Sequence, residues 1–341
     1  MFVLVTGHEG YIGAVLARTL HERGYELRGI DCNYYRGCDF APPLLSIPTI
    51  HKDIRDVTGA DLAGCDAIVH LAALSNDPLG ELAPAWAEEI NHRASVHLAR
   101  LARSAGVLRF LFASSCSMYG AGGGDTPLTE ESPLQPISAY AVSKVEAERD
   151  IAEMADDRFS PVFLRNATAY GVSPRMRFDL VLNNLVGWAF TTGKVRILSD
   201  GTPWRPLVHV EDIARAMVAF LEAPREDVHN RTFNVGITSQ NFQVRDIAQV
   251  VQETVPGCVI EYAGQTGPDP RNYRVDFERI RQTLPAFSPK WTLEKGAQQV
   301  YEACRAVGLT FEQFQSRTYS RVQQLRYLLN CQALDRSLRW R

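Results

Sequence analysis

The sequence has no apolar run of 18 residues, no closely spaced pair of cysteines and no strong excess of either charge. Its 36 lysines and arginines stand against 39 aspartates and glutamates, so we expect neither nucleic acid nor an anionic membrane as a partner. Without a long apolar run, we expect no helix that crosses a bilayer. The opening MFVLVTG lacks a basic region, so we expect no secretory signal.

The thiol and imidazole groups also show no pattern. The seven cysteines are scattered singly, without a CxxC pair, and the eight histidines do not have the spacing of metal ligands. We therefore expect reduced thiols, a cytoplasmic protein and no metal site.

What the chain does contain is an alternation of strand-like and helix-like segments. Apolar runs at 2–7, 26–31, 67–72, 110–115 and 161–166 predict strands, and helical periodicity occupies 11–23, 86–105 and 138–155. This order predicts parallel βαβ units, and near-continuous apolar strands predict a sheet covered on both faces. The expected fold is α/β: a doubly wound parallel (Rossmann) sheet with a smaller interleaved α+β domain.

Three glycines, Gly7, Gly10 and Gly13, stand three residues apart in VTGHEGYIGA, after the first strand and at the start of the first helix. In this position they permit a tight turn, close approach of the backbone to a pyrophosphate, and close packing of helix on strand. The helix N-terminus adds free N–H groups and a positive dipole end. The turn therefore predicts a dinucleotide site.

Asp31 ends the second predicted strand, 18 residues after Gly13. A carboxylate there can accept hydrogen bonds from a ribose hydroxyl pair, and it would repel a 2′-phosphate, which favours NAD over NADP. Arg36, five residues further on, keeps NADP open as an alternative.

The GxxGxxG spacing resembles that of the short-chain dehydrogenase/reductase superfamily, whose second signature, Tyr-x-x-x-Lys, is present as Tyr140 and Lys144. This spacing places both side chains on one helix face. An isolated tyrosine has a pKa of about 10. The lysine cation and a nicotinamide cation would stabilise its phenolate, which could then take a proton from a sugar hydroxyl. Ser115 would hydrogen-bond the reacting oxygen, and Lys144 would also hold the nicotinamide ribose.

Further segments follow the order of the extended branch of this superfamily, the nucleotide-sugar epimerases and dehydratases, over about residues 1–303. The resemblance implies NAD as the cofactor and a nucleotide-diphosphate sugar as the substrate. The residues that it implies for the cofactor are Gly7, Gly10, Tyr11, Ile12, Gly13, Asp31, Asp53, Ile54, Leu71, Ala72, Ala73, Asn91 and Lys144. Those that it implies for the substrate are Asn76, Thr168, Asn184, Arg205 and Arg271.

The same resemblance divides the chain and predicts its assembly. We expect residues 1–166 with 206–236 to form the NAD-binding domain, 167–205 with 237–303 to form the substrate-binding domain, and 304–341 to form a helical tail. Related enzymes usually dimerise through a four-helix bundle, which here would use the helices at 86–105 and 138–155. These helices carry Ala94, Leu98, Leu101, Ala141, Val145 and Ile151, some of which must also face the sheet.

The residues after Ser115 guide the choice of reaction. The dehydratases of the family carry Asp-Glu there and its decarboxylases a glutamate, whereas this chain has Cys116 and Ser117. A cysteine transfers protons in the family's 3,5-epimerases, but at the position of Ser117. The catalytic candidates are thus Ser115, Tyr140, Lys144, Cys116 and Ser117.

These candidates favour oxidation of a carbinol, rotation of the ketone and reduction from the other face, which is epimerisation at C4. The alternatives are a 3,5-epimerase, a 4-ketoreductase, a dehydratase or, more distantly, a non-catalytic dinucleotide-binding protein. The substrate pocket departs from the family pattern LRYFNVYG. This chain reads LRNATAYG, so Thr168 replaces the usual asparagine and an asparagine stands instead at Asn166.

Overall fold

The computed structural model describes residues 1–75, 83–120, 122, 126–262 and 272–341. Two predicted substrate contacts, Asn76 and Arg271, lie outside the described residues.

A central sheet of seven parallel strands organises the first part of the chain. Its order is β10-β6-β5-β4-β1-β2-β3, where the strands are β1 (Phe2–Thr6), β2 (Glu26–Asp31), β3 (Thr49–His51), β4 (Ala67–His70), β5 (Arg109–Ser115), β6 (Ser160–Asn166) and β10 (Arg231–Val235). The strand order changes direction between β1 and β4. At such a switch point the carboxyl ends of the strands open a crevice.

Helices cover both faces of this sheet. They are α1 (Tyr11–Glu22), α2 (Pro84–Trp86), which continues as the π-helical Ala87–Arg93 and then as α3 (Ala94–Ser104), α4 (Ala139–Ala152) and, later in the chain, α6 (Val210–Glu222). Val3 and Val5 of β1 belong to the same core cluster as Leu16 of α1, while Leu4 packs with Leu98 of α3. Alternate strand residues thus bury against opposite helical layers, which explains the unbroken apolar strands.

Two smaller sheets and their helices form the remaining body. The elements are β7 (Thr168–Tyr170), α5 (Val181–Thr192), β8 (Lys194–Ile197), β9 (Trp204–His209), β11 (Asn241–Gln243), α8 (Val244–Thr254), β12 (Val259–Tyr262) and α10 (Leu293–Val307). Two short helices of this part of the chain, α7 (Arg225–Val228) and α9 (Glu278–Thr283), instead bury Val228 and Ile280 in the core beside the central sheet. β9 pairs with β7 in parallel and with β11 antiparallel, and β12 pairs with β8 in parallel. Their own core holds Leu182, Ile247 and Val300.

The last part of the chain folds back onto the central sheet. It contains α11 (Phe311–Phe314), a 3-10 turn at Arg317–Tyr319 and α12 (Arg321–Asn330). Leu325 and Leu328 of α12 are buried in the same core cluster as Ile30 of β2 and Ile54. This segment therefore packs beside the strand that ends at Asp31.

The structure confirms the α/β prediction of a doubly wound parallel sheet and differs from it in detail. Two short strands at the edges of the sheet, β3 and β10, were not predicted from the sequence. The strand at Trp204–His209 pairs within the three-stranded sheet, so the chain returns to the central sheet with α6 at Val210 rather than at 206. The division into domains stays a prediction. None of the described helices is long and apolar enough to span a membrane.

The helices predicted to form the dimer bury part of their apolar surface within one chain. Four of the six residues named on them are buried in this way, as expected for residues that must also face the sheet, which leaves the half-buried Leu101 and Val145 as predicted contacts. The four are Ala94, Leu98, Ala141 and Ile151.

Candidate active site

A cavity of about 950 Å³ opens at the carboxyl ends of the central strands and extends to the smaller sheets. It brings together most of the residues predicted from the sequence. The predicted residues that line it are Gly7, Gly10, Tyr11, Ile12, Gly13, Asp31, Asp53, Ile54, Leu71, Ala72, Ala73, Ser115, Ser117, Tyr140, Lys144, Thr168, Asn184 and Arg205.

The glycine turn has no room for a Cβ at two of its positions. Gly7 has φ +69°, and a Cβ there would lie 2.8 Å from the nitrogen of Ala72. A Cβ on Gly13 would lie 2.1 Å from the carbonyl oxygen of Gly7. Gly10 is the N-cap of α1 and provides no side chain to cap it, so the first N–H groups of the helix are left for a ligand. This geometry fits a dinucleotide pyrophosphate.

The carboxylates of Asp31 and Asp53 are held in place beside the turn. Asp31 accepts hydrogen bonds from the backbone N–H of Glu9 at 3.1 Å and of Asn33 at 2.9 Å, while burial raises the pKa of its carboxyl group. Asp53 accepts two hydrogen bonds from the guanidinium of Arg55, at 2.9 and 2.7 Å. Burial would raise the pKa of Asp53, but these bonds hold it below its usual value. Both acids are therefore fixed acceptors.

Arg36 provides no 2′-phosphate site here. Its side chain is exposed and does not line the cavity. The arginine that kept NADP open as an alternative thus lies away from the site.

Ser115 ends β5 and caps the 3-10 turn Cys116–Tyr119. Its Oγ accepts a hydrogen bond from the backbone N–H of Ser117 at 3.1 Å, so its own proton can be donated into the cavity. The Oγ of Ser117 is buried without a hydrogen-bond partner among the described residues. Both hydroxyls are suited to bind a polar substrate.

Tyr140 and Lys144 lie in the first turns of α4, whose N-cap is Ser138. The Nζ of Lys144 lies 6.0 Å from the centre of the Tyr140 ring and donates to the carbonyl of Ala113 at 2.8 Å. Lys144 is only 3% exposed. Burial lowers the pKa of its ammonium group to about 7, against the smaller opposing effect of Glu148. A buried cation thus lies close to the tyrosine.

Cys116 does not belong to the cavity, so its assignment as a catalytic group is wrong. The side chain is fully buried, and its Sγ contacts the carbonyl oxygen of Arg165 at 3.1 Å. Burial raises the pKa of this thiol well above its usual range, which disfavours the reactive thiolate. The reason is directional: Ser115 faces the cavity at the strand end, and the next residue turns into the core.

Asn91 does not line the cavity, and its contacts agree with the resemblance, in which this asparagine braces the active-site helix; its place among the cofactor residues stays a prediction. Its amide pairs with the backbone N–H and carbonyl of Leu74, at 2.8 and 3.1 Å, and donates to Ser143 at 3.3 Å. Ser143 in turn donates to the carbonyl of Tyr140. Asn91 therefore positions α4 and the end of β4.

The end of the cavity that faces the smaller sheets contains Thr168, Asn184 and Arg205. Asn184 donates to the carbonyl of Phe178 at 2.7 Å, and Arg205 donates to the carbonyl of Trp204 at 2.7 Å. Both lie in elements that begin or end at the cavity, α5 and β9.

Asn166 pairs with Ser115 across β6 and β5. Its Nδ2 donates to the carbonyl of Ser114, while its Oδ1 and the Oγ of Ser114 are buried without partners among the described residues. These groups form a polar region beside Ser115.

The structure also brings in residues that the sequence analysis missed. Arg175, Arg177 and Asp179 lie in the loop between β7 and α5, and the SPRMRFD segment, with two arginines near an acid, could have indicated them. Tyr35 follows β2, and Arg321 comes from α12. No local pattern marks Arg321, because its place depends on how the C-terminal segment packs.

Potential metal ligands are not clustered among the described residues. Within the described ranges, no group of three or more histidine, cysteine, aspartate or glutamate side chains is arranged to hold a metal ion.

Known proteins are similar to this chain in sequence and in architecture. The model of the NAD dependent epimerase/dehydratase family matches residues 3–236. The UDP-glucose 4-epimerase of Corynebacterium glutamicum is 30% identical over 311 residues, which cover 86% of this chain and 92% of that protein. The structure of MoeE5 in complex with UDP-glucuronic acid and NAD is 28% identical, with a TM-score of 0.75, and covers 90% of this chain and 100% of that one.

A solved NAD-dependent NDP-hexosamine 5,6-dehydratase involved in tunicamycin biosynthesis is also similar. It is 25% identical, has a TM-score of 0.77, and covers 89% of this chain and 98% of that one. The similar proteins thus include both an epimerase and a dehydratase.

Proposed function

The chain belongs to the NAD-dependent epimerase/dehydratase family, and we propose that it interconverts two C4 epimers of a nucleotide-diphosphate sugar through a transient 4-keto intermediate. The observation that supports this most is the composition of the cavity. Ser115, Tyr140 and Lys144 line it together with the glycine turn. These groups suffice for oxidation and re-reduction at one carbon.

NAD is the cofactor of this family, and the residues of the cavity fit it. The N-terminus of α1, Gly7, Gly13 and Asp31 would hold its pyrophosphate and adenosine ribose, and Asp53 with Ile54 would contact its adenine. When bound, NAD supplies the reversible redox step, and the chain's own residues manage the proton and the orientation of the sugar.

Tyr140 is the proposed base that takes the proton of the sugar C4 hydroxyl and later returns it. Lys144 stabilises the phenolate because its cation is buried and therefore weakly screened. Ser115 donates its hydroxyl proton to the reacting oxygen, since its Oγ already accepts a bond from Ser117. Such base catalysis typically contributes about 10²–10⁴-fold to the rate.

The rival reactions need groups that the cavity does not offer. Among the described residues, the carboxylates that line it are Glu9, Asp31, Asp53 and Asp179, and each is already held by an arginine or by backbone N–H groups. None of them is left as an acid–base pair for elimination of water. A 3,5-epimerase that used Cys116 would need a thiol in the cavity, whereas this one is buried.

We propose uridine diphosphate as the nucleotide, because the similar epimerase acts on UDP-glucose and MoeE5 binds UDP-glucuronic acid. Arg205 and the first turn of α5 near Asn184 would bind its diphosphate, since forked N–H donors and a helix N-terminus both match phosphate oxygens. Thr168 would contact the sugar. Asn76 and Arg271 remain predictions from the sequence.

The decisive experiment follows purified enzyme with a panel of UDP-hexoses, UDP-hexuronic acids and UDP-N-acetylhexosamines in D2O, by NMR. We expect a pair of C4 epimers at equilibrium, no net consumption of NAD and no deuterium on carbon. Deuterium at C3 or C5 would identify enolisation and therefore a 3,5-epimerase, and a stable 4-keto-6-deoxy product would identify a dehydratase. Binding without turnover of any sugar would favour a non-catalytic role.

We also propose that the protein is a homodimer in the cytoplasm. Leu101 and Val145, half-buried, and the exposed Val142 on α3 and α4 offer apolar surface for the predicted bundle. The free state of all seven cysteines is in keeping with a reducing compartment. Sedimentation at micromolar concentration tests the dimer, and a monomer there would refute it.

A further inference from the structure

Arg321, the first residue of α12, is a buried cation with an incomplete set of partners. It is only 4% exposed and lines the cavity. Its Nη2 donates to the carbonyl oxygen of Arg175 at 2.9 Å, and its guanidinium carbon lies 4.1 Å from the centre of the Tyr35 ring. Its Nη1 has no hydrogen-bond partner among the described residues. This guanidinium therefore keeps N–H donors without a partner at the cavity wall.

The neighbouring arginines differ from Arg321 in how their charge is compensated. Arg175 forms an ion pair with Glu9 at 3.3 Å, and Arg177 forms one with Asp179 at 2.6 Å. No ion pair joins Arg321 to a carboxylate in the part of the chain that the structure describes. Burial of an uncompensated charge is unfavourable, and burial lowers the pKa of this guanidinium. An anion bound in the cavity would remove that cost.

The position of Arg321 points to one anion. Arg175 connects it to the glycine turn, because the Nε of Arg175 donates to the carbonyl of Glu9 at 3.1 Å while its own carbonyl accepts from Arg321. Tyr35, under the guanidinium, follows Asp31 by four residues. Arg321 thus lies between the N-terminus of α1 and the segment after β2. We propose that Arg321 binds the pyrophosphate of NAD, so that the C-terminal segment forms part of the cofactor site.

The rest of the C-terminal segment holds Arg321 in this place. Gln324 donates to the carbonyl of Tyr34 at 3.0 Å, and the hydroxyl of Tyr34 donates to the carbonyl of Leu338. Trp340 donates to the carbonyl of Cys32 at 2.6 Å. These bonds join the segment to the chain that follows Asp31. A forked donor held rigidly loses little entropy when it binds phosphate oxygens.

The test measures binding rather than turnover, so it rests on NAD as the cofactor and not on C4 epimerisation. Cofactor-stripped wild type and R321M are titrated calorimetrically with NAD+, ADP-ribose and UDP. We expect R321M to lower the affinity for NAD+ and for ADP-ribose by about tenfold or more, which is the usual value of a charge-assisted hydrogen bond. The affinity for UDP should not change. The matched control is R326M, which removes an exposed arginine from the same helix.

Two outcomes would overturn the proposal. Unchanged affinity for NAD+ in R321M would show that the guanidinium does not touch the cofactor. A lower affinity for UDP with an unchanged affinity for NAD+ would assign Arg321 to the substrate diphosphate instead. If R321M does not fold by circular dichroism, R321K takes its place, because a lysine keeps the charge and loses the fork. Weaker NAD+ binding by R321K with unchanged UDP supports the proposal, and unchanged NAD+ binding refutes it.

Discussion

The two ends of the cavity are built differently. At the glycine turn, the two carboxylates have fixed partners: Asp31 is bonded by two backbone N–H groups and Asp53 by Arg55. At the reacting end, the Oγ of Ser117 and the Oδ1 of Asn166 are buried without partners among the described residues. The first end thus holds its acids in fixed positions and leaves the Nη1 of Arg321 without a partner among the described residues, whereas the second leaves its small hydroxyl and amide groups open.

This difference fits the demands of a C4 epimerase that keeps its cofactor. The dinucleotide must remain in one geometry through two opposite redox steps, which a rigid backbone cradle provides. The sugar must rotate between them, and small hydroxyl and amide groups can bond it in more than one orientation. We therefore expect changes at the glycine turn to affect cofactor affinity, and changes at the reacting end to affect rate and KM.

Tyr140→Phe should give the largest effect. Without the phenolic oxygen the proton of the sugar hydroxyl has no acceptor, so kcat should fall by about 10²–10⁴-fold with little change in NAD affinity. A coupled epimerisation assay and a calorimetric NAD titration measure the two quantities. A fall in NAD affinity as large as the fall in kcat would remove the distinction between the two ends.

Gly13→Ala should act at the other end. The added methyl would lie 2.1 Å from the carbonyl oxygen of Gly7, and such overpacking typically costs about 1–3 kcal/mol. NAD affinity should therefore fall by roughly tenfold, since 1.4 kcal/mol is a factor of ten. Gly59→Ala is the control, because a Cβ at Gly59 meets open space. Wild-type affinity in Gly13→Ala would contradict the rigid cradle.

Lys144→Met should change both the pH dependence of stability and the activity. The pKa of Lys144 is lowered from 10.5 to about 7, so between these values the unfolded chain binds more protons than the folded one. The free energy of unfolding of the cofactor-free protein should therefore rise with pH across this window. Lys144→Met should lose this rise and nearly all activity, whereas the exposed Lys295→Met should keep both. Urea denaturation at a series of pH values is the measurement, and an unchanged slope in Lys144→Met would refute it.

Cys116→Ser should have the smallest effect. The thiol lies in the core against the carbonyl of Arg165, and a serine hydroxyl can donate the same bond. We expect kcat within about twofold of wild type, because general-base losses of 10²–10⁴ arise only when a reacting group is removed. Loss of activity by the correctly folded variant would reopen the 3,5-epimerase reading.

The sequence was most informative where function needs a local pattern. The spacing of Gly7, Gly10 and Gly13 and the acid at Asp31 follow from backbone geometry over a short stretch, and Tyr140 with Lys144 follows from one helical turn. Cys116 shows the limit of this reasoning, because one residue of register decides whether a side chain faces the cavity or the core. The bracing role expected of Asn91 agrees with its bonds to Leu74 and Ser143, which support the site from behind the cavity.

Arg321 could not have been found from the sequence. Its position depends on the packing of Leu325 and Leu328 against β2, a contact between distant parts of the chain. Arg175 and Arg177 had a visible local signal, but which arginine is paired and which is free depends on tertiary structure. Long-range packing therefore sets the cavity's charge balance, while local pattern sets its glycine turn.

The bond between Trp340 and Cys32 joins residues 308 positions apart, and this separation has a consequence for biogenesis. During synthesis the first strands leave the ribosome long before the segment that closes over them. At translation rates of about 5–20 residues per second, the interval is on the order of 15–60 seconds. Nascent chains would therefore hold an unfinished nucleotide cradle, and cofactor loading would wait until the segment with Arg321 and Trp340 has emerged and closed over the first strands.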